Sequence, residues 1–182
     1  MTQALYNIPS ADIQLFDRLS SKVAQLEARI VQLERLENSQ SRAPCGIVTH
    51  SASQTTTTGV NLTLAYDTAI DNNFGYWSSG TNTRLTVPTG YAGVHLVTLS
   101  VRWNANATGY RLITVQLNGA TPLAINIDDA SGSEAASTIA FPYRFAAGDY
   151  IDSYVRQTSG GNLNVAALSQ YSPVLAMTRL GA

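Results

Sequence analysis

The sequence predicts a mainly β protein, in which an N-terminal α-helical parallel trimeric coiled coil precedes an antiparallel jelly-roll β-sandwich. Two observations predict this class. Apolar residues recur at spacings of three and four up to residue 37, and from residue 45 onward they alternate with polar residues. Turn signals separate the alternating runs, and no helical period interrupts them. We divide the chain into an N-terminal segment (1–15), a coiled-coil stalk (16–37), a linker (38–44) and a jelly-roll head domain (45–182).

The helical pattern between residues 11 and 37 follows a heptad. Aromatic or β-branched side chains fill the a positions, and leucines fill the d positions. The seam residues are Phe16, Leu19, Val23, Leu26, Ile30 and Leu33. This stripe is narrower than the face that a helix presents to a globular core, so it favours a seam between helices. Ser10, which follows Pro9, is the expected N-cap.

Charges beside the seam indicate a parallel trimer. Lys22 and Arg29 fall at g positions, where in a parallel coil they face Glu27 and Glu34 of a neighbouring helix. The segment 29–34 also resembles a short trimer-favouring motif, with Arg at g, Glu at e and an apolar pair between them. β-Branched residues at a with leucine at d favour two strands instead. A two-stranded coil or an intrachain helix is therefore the alternative.

The pattern changes after a polar segment, Asn38 to Pro44, because Pro44 cannot continue a helix. Beyond it, apolar and polar residues alternate in several runs, of which the clearest spans residues 97–103. Asn118-Gly119 is a strong hairpin signal, since both residues tolerate positive φ. Eight to ten short strands in the 138 residues from 45 to 182 predict a sandwich or jelly roll.

Composition excludes several classes of function. Only 13% of residues are charged, the net charge is −1, and no basic patch is present, so we expect no nucleic-acid partner. No stretch approaches the roughly 18 apolar residues of a membrane span. Residues 1–10 lack the basic and apolar regions of a secretion signal, so we expect synthesis in a cytoplasm and no membrane partner. The single cysteine, Cys45, excludes an intrachain disulfide.

Segments of the head resemble, in order, the complement/tumour-necrosis-factor-like trimeric jelly-roll superfamily. Arg84–Pro88 followed by Gly93–Thr98 resembles the second and third strands of that superfamily. Arg111–Gly119 resembles its strand that ends in an Asn-Gly hairpin. Phe145–Ile151 resembles its strand that begins with Gly-Asp, and Tyr171–Met177 resembles its closing strand.

This resemblance covers nearly all of residues 45–182. It departs from the vertebrate pattern at Val94 and Leu96, where Tyr or Phe is common, and in having a coiled-coil stalk in place of collagen. The chain is more similar to the versions found in tailed bacteriophages, which serve as capsid decorations, head fibres or tail-fibre tips. The resemblance therefore implies a non-enzymatic homotrimer displayed on the virion surface.

The same resemblance implies that the N-terminal segment is a virion anchor, which binds a capsid or tail protein. The apolar residues of this anchor are Leu5, Tyr6, Ile8 and Pro9. The short anchor favours a capsid decoration or head fibre over a receptor-binding tail tip. A host-surface glycan is a further expected partner of the head. The alternative function is a free-standing carbohydrate-binding, lectin-like module.

The sequence predicts no catalytic residues, metal or cofactor. A nucleophilic triad needs a histidine beside Ser or Cys, and the only histidines, His50 and His95, read as polar strand positions. The segment 75–80 has the wrong spacing for a nucleophile elbow. Asp128-Asp129 is the best metal candidate, but no calcium-loop spacing surrounds it, so we expect a solvated loop.

Aromatic residues in a Gly/Asn/Ser-rich region form the candidate ligand site. An exposed ring beside Asn and Asp suits sugar stacking with hydrogen bonds to hydroxyls. The candidate residues are Tyr76, Trp77, Asp71 and Asn72. The alternative places Trp77 and Phe74 in the core or at a subunit interface. Tyr150 and Tyr154 share one strand face and are expected near a three-fold axis.

Overall fold

The computed structural model describes residues 10–40, 43–168 and 171–181, with helix side chains from 13 to 33. The chain forms two compact units, Met1–Arg42 and Ala43–Ala182. The second unit begins one residue before Pro44, which lies within the predicted linker.

The first unit contains one helix, α1, from Ser10 to Gln40. It covers the predicted helical range and extends through Asn38–Gln40, which the sequence analysis placed in the linker. Nothing in those three residues stops a helix, because the first proline after the seam is Pro44. Ser10, the expected N-cap, is the first helical residue. Among the described residues, no helix combines the length and the hydropathy needed to cross a lipid bilayer.

The described part of the head contains twelve strands. Eight to ten were predicted, and the additional strands have only two or three residues, too few to show a period. The strands are β1 (Cys45–Thr49), β2 (Gln54–Thr56), β3 (Leu62–Thr63), β4 (Thr68–Asn72), β5 (Arg84–Thr86), β6 (Gly93–Trp103), β7 (Tyr110–Leu117), β8 (Thr121–Asp129), β9 (Ala135–Phe145), β10 (Tyr150–Gln157), β11 (Leu163–Val165) and β12 (Val174–Gly181).

Two antiparallel sheets make up the head. In the seven-stranded sheet, one edge of β6 pairs along its whole length with β9. The other edge pairs with β12, which is followed by β1 and then by β4. Strands β11 and β2 extend this sheet beyond Trp103. In the five-stranded sheet, β3 and β5 pair with β10, which is followed by β7 and β8. The predicted antiparallel β-sandwich is confirmed.

The core lies between the two sheets and follows the period-2 pattern of the sequence. Val97, Leu99, Val101 and Trp103 of β6 are all fully buried, as the alternation predicts. Strands β7, β10 and β12 contribute further buried side chains from facing positions. These include Ile113, Val115, Ile151, Val155, Leu175 and Met177.

The β7–β8 hairpin confirms the Asn118-Gly119 signal. Both residues have positive φ, 53° for Asn118 and 72° for Gly119. The Asn118 side chain also ties the turn to the neighbouring loop, since its amide donates to Asp149 Oδ1 at 3.0 Å. Its carbonyl oxygen accepts from the Tyr150 backbone N–H at 2.9 Å. Asparagine therefore supplies both the backbone conformation and two cross-links.

A buried histidine links three segments of the core. His95 Nδ1 donates to the Gly93 carbonyl at 3.1 Å, so Nε2 is left to accept from the Tyr76 hydroxyl at 3.0 Å. The Phe145 ring packs edge-on against the imidazole. Burial lowers the pKa of His95, and the positive charge of Arg179 lowers it further. The native head therefore holds His95 as a neutral imidazole.

Gly46 leaves room for Tyr76 in this region. A Cβ atom at residue 46 would lie 2.5 Å from the Tyr76 Cβ. We expect Gly46→Ala to destabilise the head by about 1–3 kcal/mol, because the clash requires a backbone shift. Urea unfolding measures the loss. Gly161→Ala is the matched control, since a Cβ there meets nothing within 4 Å; equal effects of the two variants would contradict this packing.

Because His95 is neutral in the native head, we expect the head to lose stability in acid. The native pKa of His95 lies below the ordinary value of about 6.5, so the unfolded chain takes up this proton first as pH falls. We expect stability to decline as pH drops below about 6.5. His95→Gln should be less stable at pH 7 but should lose most of this slope. Thermal unfolding across the pH range measures both, and an unchanged slope in the variant would show that other groups cause it.

Candidate functional site

The seven-stranded sheet presents a large uncharged face away from the core. Cross-strand register places Ala140, Thr98, Ala176 and Ile47 in one row across β9, β6, β12 and β1. Parallel rows on either side consist of Thr138, Ser100, Val174 and Thr49, and of Pro142, Leu96, Thr178 and Cys45. We call these twelve residues the uncharged face, of which Cys45 and Thr49 are buried in the single chain. A scarcity of charged side chains is typical of the centre of a protein interface.

Charged side chains lie at the margins of the uncharged face. Arg102, near one end of β6, pairs with Glu134. Arg144 of β9 lies near the opposite end of β6, where it is the cross-strand neighbour of Val94. Asp71 of the edge strand β4 is the cross-strand neighbour of Ile47. This arrangement, with an uncharged centre and a polar rim, matches the anatomy of protein–protein interfaces.

The helix carries a second candidate surface. All six seam residues are at least 48% exposed in the single chain, from Val23 at 48% to Phe16 at 69%. Such a continuous apolar stripe is unfavourable in water and marks a site of association. Lys22, Glu27 and Arg29 are exposed beside the stripe, where the predicted interhelical pairs require them. The Glu34 side chain and the anchor residues Leu5, Tyr6, Ile8 and Pro9 lie outside the described residues.

The predicted sugar platform is not assembled. Tyr76 is 1% exposed, and its hydroxyl is bonded to His95, so its ring is unavailable for stacking. Asn72 closes a loop by donating to the Trp77 carbonyl at 2.9 Å and accepting from the Trp77 N–H at 3.0 Å. Trp77 itself is half-buried against the core. Tyr76 is therefore a core residue, and the alternative that places Trp77 and Phe74 in the core agrees with the partly buried packing of both rings against it.

Asp128, the first residue of the acidic pair at the end of β8, has a structural role. The Asp128 carboxylate accepts from Ser137 Oγ at 2.6 Å and from the Asn126 amide at 3.1 Å. Ser137 belongs to β9, so this carboxylate joins edge strands of the two sheets. Across the described ranges, no group of three or more His, Cys, Asp or Glu side chains is placed to hold a metal ion.

Near His50, the polar side chains stabilise a turn. Ser51 Oγ donates to Asp67 Oδ2 at 2.5 Å, so the hydroxyl is bound to the carboxylate and not to the imidazole. This bond is the main cause of the lowered pKa of Asp67. A catalytic Ser–His pair would need the Ser51 hydroxyl hydrogen-bonded to the imidazole, but here the hydroxyl is bonded to the Asp67 carboxylate.

The outward face of the five-stranded sheet carries Tyr150 and Tyr154, which the sequence analysis placed on one strand face near a three-fold axis but not in a ligand site. The Arg84 guanidinium lies 4.5 Å from the centre of the Tyr150 ring. Asp152, between Tyr150 and Tyr154 on β10, is 9% exposed, and burial raises its pKa despite a hydrogen bond from Gln116 and the nearby charge of Arg84. Tyr150 and Tyr154 thus lie on the other sheet from the uncharged face. The sequence feature that could have indicated a ligand surface here is the alternation that places Tyr, Asp, Tyr and Arg at every second residue from 150 to 156.

Comparison with known proteins identifies the fold. No family model and no curated protein matches the sequence. Solved structures match the head. An Eiger TNF from S. frugiperda has a TM-score of 0.56 and 11% sequence identity, and the match covers 77% of this chain and 94% of that one. The globular domain of zebrafish complement 1qA protein has a TM-score of 0.52 and 11% identity, with 76% of this chain and 98% of that one covered, and murine APRIL has a TM-score of 0.52 and 13% identity, with 76% and 100% covered. At these identities the likeness concerns the fold alone. The head of this chain has the same jelly-roll fold as these structures.

Proposed function

We propose that the chain is a non-enzymatic homotrimeric virion surface protein of a tailed bacteriophage, anchored by its N-terminus and displaying the jelly-roll head. The observation that carries the proposal is the exposed heptad seam of α1. A helix whose apolar residues all face solvent requires partner helices, and the chain's own copies supply the matching seam.

The charges beside the seam specify the arrangement. In a parallel bundle Lys22 faces Glu27 and Arg29 faces Glu34 of the next chain, whereas an antiparallel bundle does not bring these pairs together. Exposed pairs of this kind contribute less than about 1 kcal/mol each, so they select register more than they add stability. The motif at 29–34 favours three strands over two.

The head supplies a second surface for the same assembly. The uncharged face is suited to contact another head, because no charge at its centre needs to be desolvated when it is covered. The uncharged face does not itself set the number of heads. The resemblance to a trimeric jelly-roll superfamily supports three, and this agrees with the trimer-favouring motif of the stalk.

The virion role is supported by the resemblance to phage heads and by the order of the parts. An apolar segment, residues 5–9, precedes a stalk that precedes a head. We propose that this segment binds a capsid or tail protein and that the protein is made in the host cytoplasm before it joins the particle. The head would then be displayed as a capsid decoration, a head fibre or a receptor-binding tail tip. The proposal that the chain is not an enzyme is supported by the polar groups around His50, His95 and Asp128, which are engaged in structural hydrogen bonds.

Assembly can be measured on the intact chain. We expect light scattering to give three times the chain mass of 19.5 kDa, unchanged on dilution. Ile30→Arg should lower helical content by circular dichroism and make the trimer dissociate at higher concentration, because the charge enters the seam. Val31→Arg is the matched control, since Ile30 and Val31 are similarly exposed in one chain, 53% and 48%, but Val31 lies at b. A monomer, or equal effects of the two variants, would refute the stalk.

The anchor can be tested by truncation. We expect a chain that lacks residues 1–10 to remain a soluble trimer, because the deletion leaves the whole seam intact. It should fail to join virus particles in a complementation experiment, with the full-length chain as the positive control. Incorporation of the truncated chain would assign the anchor to another segment.

A further inference from the structure

The outward face of the five-stranded sheet concentrates polar atoms that lack partners. Among the described residues, the buried side-chain atoms without a hydrogen bond include Arg84 Nε, Asp152 Oδ1, Thr114 Oγ1 and Arg156 Nε. All four residues lie on this one face, since Asp152 pairs with Arg84 of β5 and Tyr154, two residues along β10, pairs with Thr114 of β7. Native proteins pair nearly all such groups, so a cluster of exceptions requires an explanation.

The same region also carries an aromatic surface. Tyr150 and Tyr154 lie on either side of Asp152, each partly exposed, and alternate residues of a strand point to the same face. The stretch from Tyr150 to Arg156 spans about 20 Å at the usual rise per residue. We call Arg84, Thr114, Tyr150, Asp152, Tyr154 and Arg156 the tyrosine face.

The chemistry of the unpaired atoms selects the ligand. The two arginine Nε atoms can only donate, Asp152 Oδ1 as a carboxylate oxygen can only accept, and the Thr114 hydroxyl can do both. A simple anion satisfies the donors but is repelled by Asp152. A ligand that carries several hydroxyl groups satisfies all four atoms, because each hydroxyl both donates and accepts.

We propose that the tyrosine face binds an oligosaccharide. The sugar rings stack on Tyr150 and Tyr154, and their hydroxyl groups pair with Asp152, Thr114 and the two arginines. Because the unpaired atoms are shielded from water in the free head, binding requires the side chains over them to move. The length of the face fits several sugar units in a row. This inference deepens the proposed function by assigning the head's ligand, and it replaces the Tyr76–Trp77 region as the location.

We expect the ionised Asp152 side chain to favour ligand binding but to lower the stability of the free head. Burial raises the native pKa of Asp152, so holding the ionised carboxylate that pairs with the ligand costs stability once pH exceeds the ordinary value of about 3.8. Asp152→Asn keeps the shape and removes the charge. At pH 7 the variant should unfold at the same temperature as the parent or a higher one.

Binding is tested with the intact trimer on an array of immobilised oligosaccharides, followed by calorimetry with the best-bound soluble oligosaccharide. We expect Asp152→Asn and Tyr154→Ala each to weaken binding about tenfold or more. Tyr171→Ala, which removes a tyrosine that is 77% exposed outside this face, should leave binding unchanged. The thermal unfolding of every variant is recorded, so that lost binding is separated from lost folding.

Two results would overturn the proposal: a stable trimer that binds no oligosaccharide on the array, or binding that survives both tyrosine-face variants in folded protein. Neither result affects the stalk, because the trimer is established independently by light scattering. A monomer that still binds sugar through Asp152 would reject the homotrimer and keep this site.

Discussion

The alternation of side chains along β6 is the constraint on which the rest of the head depends. This strand has eleven residues and lies between β9 and β12 in the larger sheet. Its odd-numbered residues from Val97 to Trp103 fill the core, so its even-numbered residues must point the other way. Because these outward residues are mainly small or aliphatic, one strand determines both the packing of the sandwich and the character of the uncharged face.

Periodicity predicted the parts of the structure that local sequence encodes. The helix, the central strands and the Asn118-Gly119 hairpin each depend on residues close together in the chain, and all three are present. The end of the helix was misplaced by three residues because polar composition was taken as a stop. Only Pro44 prevents helix geometry, and it lies further along.

The candidate ligand site was not predictable in the same way. Tyr76 and Tyr150 are both tyrosines in polar surroundings, but the first lies in the core and the second on an outer face. The difference arises from contacts with distant residues, His95 for Tyr76 and Arg84 for Tyr150. Pairing between β5 and β10, which are separated by more than sixty residues, cannot be inferred from composition. The expectation that Asp128 and Asp129 lie in a solvated loop was wrong for the same reason, since both residues belong to β8 and the Asp128 carboxylate is bonded to Ser137 of β9.

The position of the only lysine has a practical consequence. Lys22 lies beside the seam of α1, so the head domain contains no primary amine in a side chain. Amine-directed reagents therefore modify the chain only at the stalk and the N-terminus, and a fluorophore attached through Lys22 leaves both faces of the head chemically intact. In the proposed parallel trimer, a carbodiimide, which joins an amine to a nearby carboxylate without a spacer, would link Lys22 to Glu27 of the adjoining helix. Such a link would report covalently how the proposed chains are aligned.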